Sequence, residues 1–466
     1  MSDKGLTEFI DFKGLLSTEK SSLAVTFQAR IDDRGEIDVK FPVLPLNEET
    51  AFIRFHSNGP RKEVGYFRLT GAAEDGMTFE SDHVHVAKHR SNINNETCEN
   101  TFELGFVCGY GTFQRSLNEV APMPQLIHWL KGFECFRRPH AKCRLGTVVA
   151  AGPTKLEDPD KVAGWIAVQA KEVPSDLEAW RSEAENLLNH VRRVMSFAAS
   201  IHLKSPLLEF TAGEVKEITV YSQGTQHPAT MRTFHILELH EIFEAAVSSF
   251  FDPPVEARDL FFAFEWFAMP STYNEVRLVN AMTTLESLVA SNVKVEEAFI
   301  LPPKDFEKSR RVLRKVIRQC LEKWPDEDAD ATLQELNEKL GDLNRRSFRR
   351  KLYILARRWG VPLDDIPESV VSAAIKARNA VIHSGHHYAI NDDERLWEHM
   401  TVVREVAVRF LLTALGFRGQ YVSHLGGRHH ASFPPPLRVL KGADAPIFSG
   451  SSSGSPSCIS GNSPGL

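Results

Sequence analysis

The stretch ESVVSAAIKARNAVIH, Glu368–His383, decides how the second half of this chain is read. At about 100° per residue, Val371, Ala374, Ile375, Val381 and Ile382 fall on one apolar stripe, so the segment reads as a helix with one face in a core. Arg378 sits in the middle of that stripe. A guanidinium left there alone carries a large desolvation cost, so it needs a counter-charge or an open cavity. Asn379 and His383, four residues apart, share one edge of the stripe with Ser372 and Lys376. Gly385, just beyond, is a left-handed stop for the helix.

Two readings of these residues compete. In one, Arg378 forms an internal ion pair with Glu286, on the flank of the apolar face of Asn274–Val289, and His383 is a terminal helix residue favoured by the macrodipole. In the other, Arg378 and His383 serve a phosphodiester. The bare spacing is weak evidence, since 18 histidines in 466 residues give any arginine about a 4% chance of one at a set offset. Arg418…His424, one residue wider, is a hit of that sort.

Around this helix the apolar pattern stays helical. Thr233–Phe251, Ala257–Phe267, Asn274–Val289, Asp305–Lys323, Asp330–Leu343, Ser347–Trp359 and Asp393–Leu415 together read as a helical bundle. Upstream, from about residue 20 to 220, strands dominate. They are Leu23–Ile31, the alternation of Ile37, Val39 and Phe41, then Phe52–His56, Val64–Leu69, Met77–Val86, Phe102–Cys108, Gly164–Ala170, Leu207–Phe210 and Glu214–Tyr221. Gly, Pro, Asn and Asp clusters separate them, as in an antiparallel sandwich or barrel. Two helices interrupt the strands: Pro124–Phe136, with Pro124 in its first turn, and Asp176–Ile201. Past Gly416 the chain reads as loop, and after Pro434-Pro435-Pro436 comes the Ser/Gly-rich SGSSSGSPSCISGNSPGL. The expected architecture is α+β and multidomain: a β-rich N-terminal domain over 1–228, an all-α bundle over 229–430 and a disordered tail over 431–466.

Composition bounds the function. With 55 Lys+Arg against 61 Asp+Glu, the net charge is −6, and 42% of residues are hydrophobic and 25% charged. These values exclude fibrous and wholly disordered classes and argue against a general nucleic-acid coat, though not against a local basic site. Six cysteines without a CxxC pair exclude a disulfide scaffold and a thiolate zinc knuckle. No signal peptide and no apolar run of about 18 residues is visible, so a cytoplasmic protein without membrane contact is expected.

The charge is also uneven. Lys304–Arg318 carries seven basic residues, among them Arg311 and Arg314, against Asp305 and Glu307. Its apolar positions Val312, Leu313, Val316, Ile317, Cys320 and Leu321 predict a buried face. Arg345–Arg358 carries seven more, including Arg345, Arg346, Arg349 and Arg350, with no acid.

RNAVIH, Arg378–His383, resembles the Arg-x4–6-His signature of HEPN domains (higher eukaryotes and prokaryotes nucleotide-binding). VRLVNAMTTLESLVAS (Val276–Ser291), LNRRSFRRKLYIL (Leu343–Leu355) and KARNAVIHSGHH (Lys376–His387) are similar, in that order, to the ApeA-like subgroup, over roughly residues 275–416. By architecture, the β-rich part resembles the N-terminal domain that accompanies this HEPN type in bacterial anti-phage defence proteins. The resemblance implies a metal-independent endoribonuclease without cofactor, in which two copies bring their helices into one composite site. His383 would act as general base or acid, Arg378 would stabilise charge on the phosphoryl oxygens, and Asn379 would orient the phosphate or the histidine. The products implied are a 2′,3′-cyclic phosphate and a 5′-hydroxyl. Arg311, Arg314, Arg345, Arg346, Arg349 and Arg350 would track an RNA backbone, tRNA being one fitting target. A phage-derived trigger would act at the N-terminal domain in abortive infection. The alternative is a catalytically inactive HEPN module that binds a nucleotide or a partner.

Other signals are set aside. His83, His85 and His89 alternate along a strand without a carboxylate or cysteine cluster, so a surface strand outweighs a metal site. Gly109-Tyr110-Gly111 reads as a turn and not as a phosphate loop, and His386 and His387 are second-line candidates beside the motif.

Overall fold

The computed structural model describes residues 7–19, 21–42, 44–45, 50, 53, 66–93, 100–229, 231–322, 329–384 and 393–436. Over the first half, strand patterning builds β1 (Ile10–Ser17), β2 (Ser22–Ile31), β3 (Ile37–Lys40), β4 (Leu44–Pro45), β5 (Phe67–Ala72), β6 (Thr78–Ile93), β7 (Asn100–Cys108), β8 (Tyr110–Lys131), β9 (His140–Cys143), β10 (Gly146–Ala151), β11 (Val162–Gln169) and β12 (Lys204–Tyr221). Antiparallel pairing runs β7-β3-β2-β1-β5-β6 and returns from β6 to β7, which closes a barrel. Phe12, Phe27, Phe79 and Phe113 fill it, with Phe12 stacked on Phe27 at 5.3 Å between ring centroids. The β1–β5 seam depends on glycine. Gly14 lies opposite Gly71, and a Cβ on Gly14 would stand 1.7 Å from the Thr70 carbonyl oxygen.

β8 and β12 pair along nearly their whole lengths. Near Tyr110 they border the barrel, and toward Lys131 β8 joins β11, which continues to β10 and β9. The predicted helix Pro124–Phe136 is therefore corrected, because its first eight residues continue β8. Leu126, His128 and Leu130 are buried at alternate positions, and β11 and β12 bond the two edges of this stretch. A ladder on both sides satisfies the main chain as fully as a helix would. Pro122 and Pro124 are tolerated because residues 122–124 have no register partner on β12, which slips around Gly213 at φ +58°. Leu207–Phe210 and Glu214–Tyr221, predicted as two strands, are accordingly one.

The helices are α1 (Leu177–Ala199), α2 (Leu239–Phe251), α3 (Leu260–Ala268), α4 (Asn274–Asn292), α5 (Val295–Ala298), α6 (Pro303–Leu321), α7 (Ala329–Asp342), α8 (Phe348–Trp359), α9 (Glu368–Ser384) and α10 (Asp393–Ala414). Asp176 caps α1 by accepting the Ala179 N–H. α2 begins later than the predicted Thr233 because Thr233 serves another element: its carbonyl accepts the Val422 N–H at 2.7 Å. α10 is the axial helix, with Val402, Val403, Val406, Ala407, Phe410 and Leu411 all buried, and α4 and α9 lie against it.

Past Gly416, the predicted loop is replaced by a hairpin of β13 (Gly419–Ser423) and β14 (His429–Phe433). Glu405 of α10 anchors it, accepting from the Tyr421 hydroxyl, from Ser423 Oγ at 2.8 Å and from Arg409 Nε at 2.9 Å. Local sequence could not show this anchor, since Tyr421, Val422 and Phe433 stand among glycines and basic residues and gain their burial from other elements. One apolar core thus runs from Leu126 in β8 through α10 to Phe433. The architecture is α+β, a β-barrel and sheet region followed by a helical region. No helix among the described residues is long and apolar enough to cross a membrane. Phe52–His56 lies outside the described residues apart from Ile53, as do Gly385, His386, His387 and residues 437–466.

Candidate functional site

The site is built on α9. Val371, Ala374, Ala377 and Val381 are its buried positions, while Ile382 is 50% exposed. The predicted stripe is corrected here, because the buried face is turned toward Ala377 and leaves Ile382 beside His383 at the surface. Arg378 is half-buried on the edge of that face. Its Nη2 donates to Glu286 Oε2 of α4 at 2.6 Å, and its Nη1 donates to Asn379 Oδ1 at 3.2 Å. Its Nε is buried and meets no acceptor among the described residues.

Asn379 and His383 are exposed. Their separation of four residues stacks them on one helix face, with Cβ atoms about 5–6 Å apart. Asn379 therefore links the other two groups, touching Arg378 and standing one turn before His383. Arg378 to His383 spans about 7.5 Å of helix rise. The result is a guanidinium fixed on one side by a carboxylate, an amide and an imidazole, gathered on the last turns of a helix where Asn379 and His383 are exposed. Such a set can donate to an anionic oxygen and exchange a proton with a ligand laid across the helix end.

The basic segments lie farther off. Ser347 caps α8, accepting the Arg350 N–H at 3.3 Å. Arg349 stands 3.5 Å from Glu368, the first residue of α9, and Arg345 stands 3.4 Å from Asp342. Arg350 is exposed and Arg346 half-buried. Since Glu368 opens the helix that His383 nearly ends, this cluster sits about 22 Å along α9 from the imidazole. On α6, Arg311 lies 3.8 Å from Glu307, and Arg314 is half-buried. The buried face predicted for this helix is corrected: none of its residues is buried, and Val312 is 64% exposed. Helical periodicity identifies an amphipathic face but not what covers it. Among the described residues α6 packs chiefly on α7, so part of its apolar stripe has no second layer there.

In β6, His83 is exposed with Nδ1 2.5 Å from Asp82 Oδ1, and Tyr66 stands against both His83 and His85. Among the described residues no group of three or more His, Cys, Asp or Glu is placed to hold a metal. The sequence reading overlooked Arg404, a buried guanidinium of α10. Its signal was a lone charge within the apolar run TVVREVAVRFLL, of the same kind that drew attention to Arg378.

Compared with known proteins, the chain matches no family model, no curated protein and no solved structure at a significant level.

Proposed function

We propose that this protein is a metal-independent endoribonuclease of the HEPN type, working as a homodimer in anti-phage defence. The observation that carries the reading is the group on the last turns of α9, where Arg378 and Asn379 are hydrogen-bonded and Asn379 shares a face with the exposed His383. In this reading one His383 takes the proton from the RNA 2′-hydroxyl as that oxygen attacks phosphorus. The other copy's histidine gives a proton to the departing 5′-oxygen, leaving a 2′,3′-cyclic phosphate and a 5′-hydroxyl. Arg378, held by Glu286, turns its planar donor fork toward the charge that builds on the phosphoryl oxygens.

Two further features support a second copy and an RNA. Ile382 beside His383 and the Val312–Val316 face of α6 are apolar surfaces left open in a single chain. Arg345, Arg346, Arg349 and Arg350 at the far end of α9, with Arg311 and Arg314 on α6, offer positive charge along a path longer than one nucleotide. The test is cleavage of purified tRNA in the presence of a chelator. Wild-type protein cleaves, and His383→Ala and Arg378→Ala do not. Activity that requires a divalent metal, or cleavage retained by both variants, counts against the proposal.

One observation favours a second reading, a non-catalytic HEPN module that binds a nucleotide or a partner. Arg378 already has a carboxylate partner, which a purely structural arginine would also have. That reading requires Arg378→Ala to lose stability while no cleavage is seen even in the wild type.

A further inference from the structure

Away from α9, a cavity of about 420 Å³ opens between the end of α1, the residues His227, Pro228 and Met231, α4 and α10. Its apolar walls include Met231, Phe267, Val276 and Met400. Two arginines line it, Arg277 of α4 and Arg404 of α10, and no Asp or Glu does. Arg404 is 9% exposed. The two hydrogens of its Nη2 are shared among three neutral oxygens within hydrogen-bond distance: Ser200 Oγ and the Met231 carbonyl, each at 2.6 Å, and Thr233 Oγ1 at 3.0 Å. Its guanidinium lies 4.3 Å from the centre of the Phe267 ring. Arg277 donates from Nε to the Ser271 carbonyl at 3.1 Å and from Nη1 to Asn274 Oδ1 at 3.3 Å, again both neutral. Neither arginine forms an ion pair with a carboxylate among the described residues. Burial pulls the Arg404 pKa down to about 9, with Glu405 opposing and the neighbouring Arg277 charge adding to the fall.

A buried guanidinium normally comes with its counter-ion, because an uncompensated charge in a low-dielectric site is costly. Here two guanidiniums face one cavity, and the hydrogen-bond acceptors they meet are neutral, with Glu405 acting on Arg404 only through space. Asn280, 5% exposed on the same wall, adds a side-chain amide. The volume falls within the range of small-molecule sites, and the apolar walls match an organic body more than a bare ion. Two planar donor forks carrying two positive charges fit the oxygens of a phosphomonoester dianion.

We propose that this cavity binds a small organic phosphate, its phosphate seated between Arg277 and Arg404 and its apolar body against Phe267, Val276 and Met400. The site is independent of the ribonuclease reading, since it uses none of the residues at the end of α9.

The test is titration calorimetry of the full chain with phenyl phosphate, alongside inorganic phosphate and benzoate. Phenyl phosphate is expected to bind saturably at one site, at least about tenfold tighter than either comparison anion. Arg277→Gln, half-exposed at the cavity edge, loses about tenfold or more, and Arg277→Lys recovers part of the loss. Val276→Trp narrows the cavity without removing either guanidinium and also weakens binding, so the outcome does not hang on the folding of one variant. Absence of saturable binding up to about 10 mM phenyl phosphate overturns the proposal. So does equal affinity for benzoate or inorganic phosphate, or unchanged affinity in both folded variants.

Discussion

Replacing Arg378 by methionine separates two roles that one side chain can play. The change keeps the aliphatic length against the core and removes the guanidinium, with its bonds to Glu286 Oε2 and Asn379 Oδ1. A hydrogen bond to a charged partner is worth about 1.5–3 kcal/mol when buried, and an exposed ion pair about 0.2–1 kcal/mol. With Arg378 21% and Glu286 36% exposed, the pair falls between these limits, at about 1–2 kcal/mol. A domain stable by about 5–15 kcal/mol remains overwhelmingly folded after that loss. By contrast, removing one donor to a developing oxyanion costs about 10²–10³ in rate. Denaturant midpoints measured beside the cleavage rate of a labelled RNA therefore give a small fall in one and a large fall in the other. A double-mutant cycle with Glu286→Gln should return a coupling of about 1–2 kcal/mol in stability. If Arg378→Met loses that stability yet cleaves at the wild-type rate, the arginine is only an ion-pair fastening and its catalytic assignment fails.

Other consequences follow from the same structure. Glu405→Ala removes the shared acceptor of Arg409, Tyr421 and Ser423; Arg409 keeps Asp365, so the loss is that of two buried hydroxyls left without their acceptor, about 2–3 kcal/mol in denaturant unfolding. A loss below about 1 kcal/mol would mean the hairpin is not held through this residue. Acid should destabilise the fold through His128 and His190, which burial holds neutral, with pKa pushed down to about 3 and about 4. For such lowered values, stability is fully present above the unfolded pKa near 6.5 and is lost as pH falls toward 4 and then 3, at about 1.4 kcal/mol per unit for each group. His128→Leu should reduce the loss between pH 7 and pH 5 by about 2 kcal/mol, and an unchanged slope would show that His128 does not stay neutral. Gly14→Val should open the barrel seam, since even a Cβ would meet the Thr70 carbonyl oxygen at 1.7 Å. Native expression with an unshifted melting temperature would contradict that geometry.

The helices were legible where their periodicity was long and locally complete. Asn274–Val289, Ser347–Trp359 and Asp393–Leu415 lie within a few residues of α4, α8 and α10 because an apolar stripe and a cap or breaker mark each one. Strands were legible where they alternate alone, as in β2 and β11. They were lost where the pattern depends on partners. Gln125–Lys131 looks helical in isolation, and only β11 and β12 on its two sides make it a strand. Tyr421 and Phe433 carry no local periodicity, and their hairpin exists because Glu405 and the core receive it.

At the site, sequence could show that a charge in the stripe around Arg378 demands a partner, but not how open the helix end would be. The same logic applied to TVVREVAVRFLL would have flagged Arg404. The cavity in front of Arg404 is a property of four distant segments and has no linear signature.

The central claim rests on His383, and the most direct measurement is the chemistry of RNA 3′ ends after the protein is expressed under triggering conditions. Wild-type protein should leave new 2′,3′-cyclic phosphate ends at defined positions, and His383→Ala, folded and present at equal level, should leave none. The same ends from both proteins would contradict the account.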